Sequence, residues 1–442
     1  MTFITATLGC KVNQYETQAL EHFLIQKGCR QTEEHPDIVI VNTCAVTAES
    51  ERKCRQTIRH LRQKYPNAIL AVCGCYSQLD AGAMRELGAN VIFGSGDKEE
   101  FVDAILAAEK GTALTGEKID DPFARVHFEP LPSGNYEGRT RALLKIQDGC
   151  SNFCTYCIIP YTRGRPRSLT PEIAVRQAEE LAQQGYRELV LTGIEIASYG
   201  SDLPEKIGLQ DIVRSISHAV PKLRIRMGSL EPTVITEEFC ESIASCNNVC
   251  DHFHLSLQSG SDRILKAMNR KYDSETFYEK VRMLRAYYPN CGITADIIMG
   301  FPGETDREVE ETIAFLRKCA FSQVHVFPYS RRPGTPADAM PLQISRGDKQ
   351  RRTKMARDEA NETRLAFQEQ QIGRVLSVLF ERCEDGLWQG HSTNYLTVAV
   401  QGECLRGEVR NVRIREWKKG LLLGELEGSA QPQKCTETLN CE

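Results

Sequence analysis

Three cysteines in one short segment are the residues of this chain best placed to do chemistry. Cys150, Cys154 and Cys157 have the spacing C-x3-C-x2-C, so a compact loop can direct all three thiolates at one cluster. Iron–sulfur clusters normally take four cysteine ligands, and three close cysteines leave one iron open to a non-protein ligand. The alternatives are a structural zinc site with a distant fourth ligand, or three unrelated thiols.

Three further cysteines each follow a predicted strand near the N-terminus. Cys10 ends the segment TLGC, Cys44 ends VNTC and Cys75 ends AVCGC. The C-terminal ends of parallel strands lie along one edge of a sheet, so these thiols are predicted to converge. A second cluster with an open iron is the simplest hypothesis for that placement. Cys73 competes with Cys75 for the third position, and all of these residues could instead be small buried side chains.

The elements that must position these cysteines form three predicted domains of the α/β class. Residues 1–112 alternate strands with helices, which predicts an open parallel sheet. Residues 113–138 are rich in glycine and proline and predict a linker. Residues 139–370 contain six β/α units, which predicts a partial (β/α)6 barrel with its site at the strand C-termini. Residues 371–430 predict a small β-barrel, and residues 431–442 a frayed tail.

Bulk composition describes an ordinary soluble globular protein. The chain has 442 residues, of which 41% are hydrophobic and 26% charged, and its net charge is −4. The apolar runs are strand-sized, and the start lacks a signal-peptide pattern, so the cytoplasm is the expected compartment and no membrane partner is expected. In that reducing compartment, eighteen cysteines favour metal ligation or catalysis over disulfides.

The motifs resemble those of two nested families. The C-x3-C-x2-C spacing, with Tyr156 as an aromatic residue beside the last cysteine, resembles the radical S-adenosylmethionine (SAM) superfamily. The segments LGCKVNQYET, NTCAVTAES, GCYSQ, LQSGSDRILKAMNRKY, DIIMGFPGET and GHSTNYLTV together resemble the methylthiotransferases over nearly the whole chain. Members of that family join an N-terminal cluster domain to a radical barrel and a C-terminal TRAM barrel. The GCKVNQYE form is most similar to the branch that acts on N6-threonylcarbamoyladenosine in tRNA.

This resemblance implies two 4Fe-4S clusters and SAM as cofactors. The cluster that cleaves SAM to a 5′-deoxyadenosyl radical would be held by Cys150, Cys154 and Cys157. The auxiliary, sulfur-delivering cluster would be held by Cys10, Cys44 and Cys75. The implied partner is the anticodon loop of tRNA, and the implied product is 2-methylthio-N6-threonylcarbamoyladenosine at position 37. A reducing electron donor of the flavodoxin or ferredoxin type would complete the reaction.

Polar and glycine-containing loops at the barrel strand ends are the candidates for cofactor contacts. These candidates are Tyr156, Thr192, Gly193, Glu231 and Gln258. Glycine at a strand end would let the backbone approach the methionine amine. Ordinary turn chemistry explains any single one of these positions, but together they favour a site on one barrel face. Glu195 departs from the polar residue expected in relatives. Asp296 is a weaker candidate, because a structural carboxylate would explain it equally well.

Basic residues are concentrated in three segments that could bind RNA. One segment flanks the C-x3-C-x2-C loop and comprises Arg139, Arg141, Lys145, Arg163, Arg165 and Arg167. The second spans 406–420, with Trp417 nearby for stacking, and the third is a charged helix over 346–357. The residues predicted to contact RNA are Arg163, Arg165, Arg410, Arg413 and Arg415. A solvated protein face is the usual alternative for such charge runs.

The hydrogen on C2 of adenosine is beyond ordinary acid–base side chains, so a cofactor-derived radical suits this substrate. An anticodon-loop base is unstacked or extruded readily enough to reach a barrel mouth. Two alternative functions keep some of the same features. A methylthiotransferase of an aspartate in a ribosomal protein, or of isopentenyladenosine in tRNA, keeps every cysteine role. A non-catalytic zinc-bearing RNA-binding protein would account for the cysteines and the basic segments without catalysis.

Overall fold

The computed structural model describes residues 1–109, 116–133, 140–418 and 420–428. Arg139, the predicted tail 431–442 and parts of the predicted linker lie outside the described residues. Within them the chain forms an N-terminal parallel sheet, a partial β/α barrel and a closed C-terminal β-barrel. The predicted fold class is therefore confirmed.

The N-terminal domain is a six-stranded, fully parallel sheet with the order β2-β1-β3-β4-β5-β6. Its strands are β1 (Thr2–Thr7), β2 (Arg30–Gln31), β3 (Ile38–Thr43), β4 (Ile69–Gly74), β5 (Val91–Phe93) and β6 (Gly116–Lys118). Its helices are α1 (Lys11–Gln26), α2 (Ala48–Lys64), α3 (Cys75–Leu79), α4 (Ala81–Glu86) and α5 (Lys98–Glu109). Every residue of β3 is buried, as expected for a parallel strand covered on both faces.

The predicted linker contains ordered structure, which corrects its description as a simple connection. β6 adds an edge strand to the N-terminal sheet, and Pro122–Ala124 forms a short 3-10 helix. β6 could not be predicted from the sequence, because three residues are too few to show an alternation of apolar and polar residues and glycines and prolines surround them.

The central domain has the six predicted β/α units, with the third strand broken at Gly228. Its strands are β7 (Arg141–Lys145), β8 (Gln147–Asp148), β9 (Arg167–Ser168), β10 (Glu188–Thr192), β11 (Arg224–Met227), β12 (Ser229–Leu230), β13 (His252–Gln258), β14 (Gly292–Met299) and β15 (Gln323–Pro328). The break divides the barrel wall into the sheets β11-β10-β7 and β12-β13-β14-β15. The C-terminal ends of the barrel strands carry the loops that hold the candidate site.

The helices of this domain are α6 (Pro160–Arg163), α7 (Pro171–Gln183), α8 (Leu209–Ala219), α9 (Glu237–Ala244), α10 (Asp262–Ala267), α11 (Ser274–Tyr287), α12 (Asp306–Cys319), α13 (Pro336–Ala339) and α14 (Arg346–Glu369). They cover the outside of the wall and connect it to the last domain, except for two short ones: α6 packs against α3 at the domain boundary, and α13 contacts the C-x3-C-x2-C loop. α14 matches the predicted charged helix, and Arg357 within it donates to the carbonyl oxygen of Val326 on β15 at 3.1 Å.

The C-terminal domain is a closed five-stranded barrel. Its strands are β16 (Val375–Glu384), β17 (Leu387–Ser392), β18 (Thr397–Val400), β19 (Val409–Lys418) and β20 (Leu421–Leu426). Closure removes the open edges that a small sheet would otherwise expose. β17 was not predicted, because its sequence LWQGHS lacks a regular alternation of apolar and polar residues.

The turn between β17 and β18 docks this barrel onto the central domain. The side chain of Asn394 donates to the carbonyl oxygen of Asn290 at 3.2 Å. A Cβ on Gly292 would lie 2.1 Å from the carbonyl oxygen of Asn394, so the close approach requires glycine there. Tyr395 has a φ of +67°, a left-handed conformation that a bulky residue rarely adopts. The turn therefore occupies the N-terminal end of the partial barrel in a specific, strained geometry.

Candidate active site

Cys10, Cys44 and Cys75 lie at the C-terminal ends of three neighbouring strands. Cys10 follows β1 as the N-cap of α1, Cys44 follows β3, and Cys75 begins α3 directly after β4. Because β1, β3 and β4 are adjacent in the sheet, these residues converge at one edge as predicted. Burial raises the pKa of the Cys44 thiol to about 12, and the nearby thiols of Cys75 and Cys10 add to this rise.

Glycines adjoin two of these cysteines, and one of them leaves space beside the thiols. Gly9 and Gly74 precede Cys10 and Cys75, and their φ angles of +114° and +105° are strained for any other residue. A Cβ on Gly9 would lie 2.9 Å from the Cβ of Cys44 and 3.1 Å from its Sγ. A side chain at position 9 would therefore fill the space beside the thiols. We call this sheet edge, with Cys10, Cys44, Cys75 and the space beside Gly9, the cradle.

Cys73 lies in the core of the sheet, away from this cradle. It is 0% exposed and packs with Phe3, Leu20 and Val91 on one face, whereas Cys75 packs on the other. Residues that are two positions apart on a strand normally point to the same face of the sheet. Here β4 ends at Gly74 and Cys75 is already helical, so the direction of its side chain changes. The geometry thus favours Cys75 over Cys73 as a ligand.

A buried arginine from the central domain reaches the cradle. Arg163, at the end of α6, places its Nε 3.2 Å from the Sγ of Cys75 and its Nη2 3.1 Å from the Oδ1 of Asn13. The thiol of Cys10 donates to the same Oδ1 at 3.7 Å. Asn13 itself donates to the carbonyl oxygens of Leu8 and Thr43, which close the ends of the strands. One hydrogen-bond network therefore joins Arg163 to two of the three cysteines.

The charge of Arg163 is balanced inside the protein. Its guanidinium forms an ion pair with Glu16 of α1, and Lys145 also contacts Glu16 at 3.0 Å and Asp148 at 2.7 Å. Burial alone would raise the pKa of Glu16, but Arg163 and Lys145 lower it to about 2. All four groups are buried. The boundary between the two domains is thus held by alternating buried charges.

The predicted RNA contact of Arg163 is wrong, because its side chain is 0% exposed. Lys145 and Arg167 of the same basic segment are also buried, and both pair with Asp148. Their acidic partners lie elsewhere in the sequence or within the run itself, which made the segment look like a free basic patch. Arg165 is exposed, and its contact with RNA stays a prediction.

The loop of Cys150, Cys154 and Cys157 is braced by hydrogen bonds from neighbouring elements. The Cys150 amide donates to the carbonyl oxygen of Gly164, and the Cys157 amide donates to that of Cys154, both at 2.9 Å. Arg270 places its Nη1 3.2 Å from the Sγ of Cys154. Burial raises the pKa of Cys157 to about 12, with Cys154 and, more weakly, Cys75 contributing. The two cysteine sets therefore lie within electrostatic reach of each other.

Acidic residues at the next strand ends gather around this loop. Glu231 forms an ion pair with Arg270, the residue that also contacts Cys154. Asn152 of the loop donates to the Oε2 of Glu195 at 3.3 Å. Burial and the nearby Glu231 raise the pKa of Glu195 to about 7. Glu231 and Glu195 thus form one polar pocket with the loop, where an amine or a sulfonium would be stabilised.

The remaining candidates for cofactor contacts also lie at this end of the barrel. They are Tyr156, Thr192, Gly193 and Gln258. A Cβ on Gly193 would lie 2.8 Å from the carbonyl oxygen of Gln147, so packing against β8 already requires this glycine. Thr192 is buried, and Gln258 ends β13 with a φ of +70°. Tyr156 packs on the side of the loop that faces α10. Their contacts with a cofactor stay predictions.

The donor set fits iron–sulfur clusters better than single metal ions. Across the described residues, no three His, Cys, Asp or Glu groups lie close enough together to share one ion. A multinuclear cluster spreads its thiolates over different irons and so suits wider spacing. Cys54 lies beside Cys44, but its Sγ is engaged by the backbone of Cys44, where it donates to the carbonyl oxygen at 3.6 Å and accepts from the amide at 3.4 Å. Three thiols in each set would leave one iron of a cluster for an exogenous ligand.

Sequence analysis did not single out Asn13, Glu16 or Arg270. The first two lie in LGCKVNQYET and the third in LQSGSDRILKAMNRKY, so their position in segments that resemble a family was the available signal. Asp296, a weak candidate, lies on β14 and contacts the Nε2 of His254 at 3.3 Å.

The C-terminal arginines lie on the surface of the last barrel. Arg410, Arg413 and Arg415 lie on β19, with side chains 41–55% exposed, and each pairs with a glutamate. Exposed pairs of this kind exchange partners at little cost, so the arginines are available to phosphates. Their contact with RNA stays a prediction.

Two family models match the regions that carry the two cysteine sets. Residues 144–316 match the model of the "Radical SAM superfamily", and residues 2–94 match "Uncharacterized protein family UPF0004". The chain is 36% identical over 418 residues to "Threonylcarbamoyladenosine tRNA methylthiotransferase MtaB" of Bacillus subtilis, which covers 92% of each protein. It is 34% identical to the "tRNA-2-methylthio-N(6)-dimethylallyladenosine synthase" of Alkaliphilus oremlandii, over 96% of this chain and 92% of that protein.

Solved structures share the fold at low sequence identity. The radical SAM methyltransferase TsrM from Kitasatospora setae superposes with a TM-score of 0.56 at 15% identity, over 87% of this chain and 79% of that chain. The cobalamin-dependent radical enzyme OxsB gives a TM-score of 0.53 at 13% identity, over 82% and 56%. Among the described residues, no helix combines the length and apolar character needed to cross a membrane.

Proposed function

The chain belongs to the methylthiotransferase family of radical SAM enzymes, and on that premise we propose that its substrate is N6-threonylcarbamoyladenosine at position 37 of tRNA. The product would be 2-methylthio-N6-threonylcarbamoyladenosine. Members of this family use SAM and two 4Fe-4S clusters. Cys150, Cys154 and Cys157 would hold the first cluster, and Cys10, Cys44 and Cys75 the second.

When bound, the clusters and SAM supply the radical that removes hydrogen from C2 and the sulfur that replaces it. The protein residues position these groups. Arg270 would orient Glu231 toward the methionine amine while its other nitrogen contacts the Sγ of Cys154. Arg163 would hold Cys75 and Asn13 in place and balance the negative charge of the thiolates.

The observation that carries this proposal is the placement of two three-cysteine sets on either side of one domain boundary, joined by Arg163. A mononuclear zinc module requires neither two cysteine sets nor a β/α barrel that carries one of them. Similarity to the threonylcarbamoyladenosine enzyme of Bacillus subtilis supports the choice of substrate. The electron donor would be of the flavodoxin or ferredoxin type, and the protein would act in the cytoplasm.

The main alternatives are isopentenyladenosine in tRNA and an aspartate of a ribosomal protein. The reconstituted enzyme should be given SAM, a sulfide source and a reductant with each acceptor in turn, and the products measured by mass spectrometry. A gain of one methylthio group only on threonylcarbamoyladenosine tRNA supports the proposal. Turnover only on isopentenyladenosine tRNA or only on the ribosomal protein refutes it.

A further inference from the structure

A cleft of about 500 Å3 opens where the three domains meet. The N-terminal domain contributes Lys11 and Gln14 of α1, and the central barrel contributes Arg141 and Arg226 from its inner face. The C-terminal barrel contributes Tyr395 from its docking turn. The cleft begins one residue beyond Cys10, so it lies next to the candidate auxiliary cluster.

The floor of the cleft is rigid. Arg226 pairs with Glu188 at 2.7 Å and donates to the carbonyl oxygens of Thr393 and Ser392 at 2.9 and 3.1 Å. Its guanidinium also lies 4.7 Å from the ring centre of Tyr395. These contacts satisfy its charge and most of its donors. Arg226 therefore holds the floor and is not available to bind a ligand.

Three other cations line the cleft, namely Arg141, Lys11 and Arg382, and the last of these pairs with Glu384 at 3.3 Å. Arg141 pairs through its Nε with Glu381 at 2.7 Å and also interacts with the hydroxyl of Tyr395, which leaves further donors on its terminal nitrogens for another acceptor. Lys11 has no ion pair or hydrogen bond among the residues that the structure describes. Its side chain is exposed and lines the cleft.

We propose that Lys11 and Arg141 bind the carboxylate of the threonylcarbamoyl group and thereby select this substrate over isopentenyladenosine. This inference rests on the proposed function. An isopentenyl group is apolar and offers neither cation an acceptor, so a site built for charge binds it less well. The carboxylate would complete the charge balance that Glu381 provides only in part. A backbone phosphate has related chemistry, and the experiment below separates it from the carboxylate.

The test uses the holoenzyme and three anticodon stem–loops that differ only at position 37. The base carries threonylcarbamoyl as the free acid, the same group as its primary amide, or no modification. We expect the wild type to bind the acid about tenfold more tightly than the amide, the worth of a charge-assisted hydrogen bond. Lys11→Gln should abolish most of this preference and bind the amide and the unmodified loop as the wild type does. Lys11→Arg should retain the preference.

Lys64→Gln is the matched control, because Lys64 is an exposed lysine at the C-terminal end of α2, on the opposite edge of the same domain. It should keep the full preference for the acid. Arg141→Gln tests the second cation and should reduce the preference in the same way. Equal weakening of all three stem–loops by Lys11→Gln would indicate a phosphate contact and overturn the proposal. An unchanged ratio of acid to amide in both variants would also overturn it.

Failure of this inference is distinguishable from failure of the proposed function. The wild type alone decides the substrate, by turnover on threonylcarbamoyladenosine and isopentenyladenosine stem–loops. If the wild type modifies the first but Lys11→Gln and Arg141→Gln retain its preference for the acid, only the carboxylate subsite is refuted. If the wild type modifies only the second, the proposed function and the subsite both fail.

Discussion

The Nε of Arg163 lies 3.2 Å from the Sγ of Cys75, although the two residues belong to different domains. Arg163 lies six residues after Cys157, the last cysteine of the C-x3-C-x2-C loop. Cys75 lies at the edge of the N-terminal sheet, together with Cys10 and Cys44. A substitution at either residue should therefore alter contacts on both sides of the domain boundary. The ion pair of Arg163 with Glu16 fixes this contact inside the protein.

Arg163→Gln should lower the midpoint potential of the auxiliary cluster by about 60 mV. This shift corresponds to a roughly tenfold decrease in the equilibrium constant for one-electron reduction. The reduced cluster is the more negative one and loses a nearby cation. The measurement is a redox titration followed by electron paramagnetic resonance in a chain whose Cys150, Cys154 and Cys157 are alanine. Arg163→Lys keeps the charge and should shift the potential much less. Equal potentials in the wild type and Arg163→Gln would refute the electrostatic role.

Cys75→Ala should reduce the iron content of the reconstituted chain from about eight to about four per molecule, because one cluster loses a ligand. Cys73→Ala is the matched control, since this thiol is two residues away but lies in the sheet core. It should retain about eight irons. Iron and sulfide analysis with visible spectroscopy makes the comparison. Loss of four irons from Cys73→Ala, with none from Cys75→Ala, would reverse the ligand assignment.

Glu188→Gln should weaken the docking of the C-terminal barrel in a pH-dependent way. Burial alone would raise the pKa of Glu188, but Arg226 and Arg224 lower it from 4.5 to about 2. A lowered pKa stabilises the folded state above the unfolded value, so this contribution, about 3 kcal/mol, is lost as pH falls from 4.5 through 2. The variant should be less stable than the wild type at pH 7, and the gap should close in acid.

Urea unfolding followed by tryptophan fluorescence measures this difference, because both tryptophans of the chain, Trp388 and Trp417, lie in the C-terminal barrel. Glu86→Gln, an exposed carboxylate in α4, is the control and should match the wild type at every pH. A gap between Glu188→Gln and the wild type that is the same at pH 7 and pH 3 would show that this carboxylate does not stabilise the docking by its charge.

Glutamine at Arg410, Arg413 or Arg415 should weaken tRNA binding whatever the modification at position 37. These exposed side chains would contact phosphates, so each change should reduce the slope of log affinity against log salt by about one. Filter binding across a salt series measures the slope. Arg163→Gln gives the contrast, because its buried side chain cannot reach RNA and should leave the slope unchanged. Slopes unaffected by all three surface variants would place the tRNA elsewhere.

The sequence predicts those parts of the site that depend on strand order. Cys10, Cys44 and Cys75 could be placed at one sheet edge because parallel strands end on the same side. The six barrel units followed from their alternation in the same way. Short or irregular strands, such as β6 and β17, carry too little pattern to be recognised.

Pairing between distant charges could not be predicted. Arg163 looked like a surface residue because the basic run around it gives no indication of Glu16, which lies 147 positions away. Lys11 belongs to the GCKVNQYE segment, but its position at a cleft made by three domains could not be inferred from the sequence. Local patterns report secondary structure, whereas burial of a charge is a property of the tertiary fold.

Mass spectrometry of tRNA nucleosides from a strain that lacks this protein tests the central claim most directly. We predict that 2-methylthio-N6-threonylcarbamoyladenosine disappears while N6-threonylcarbamoyladenosine accumulates. The wild-type gene should restore the thiomethylated nucleoside, and a gene with alanine at Cys75 should not. An unchanged level of 2-methylthio-N6-threonylcarbamoyladenosine, or the loss of the thiomethylated isopentenyladenosine in its place, would contradict the account.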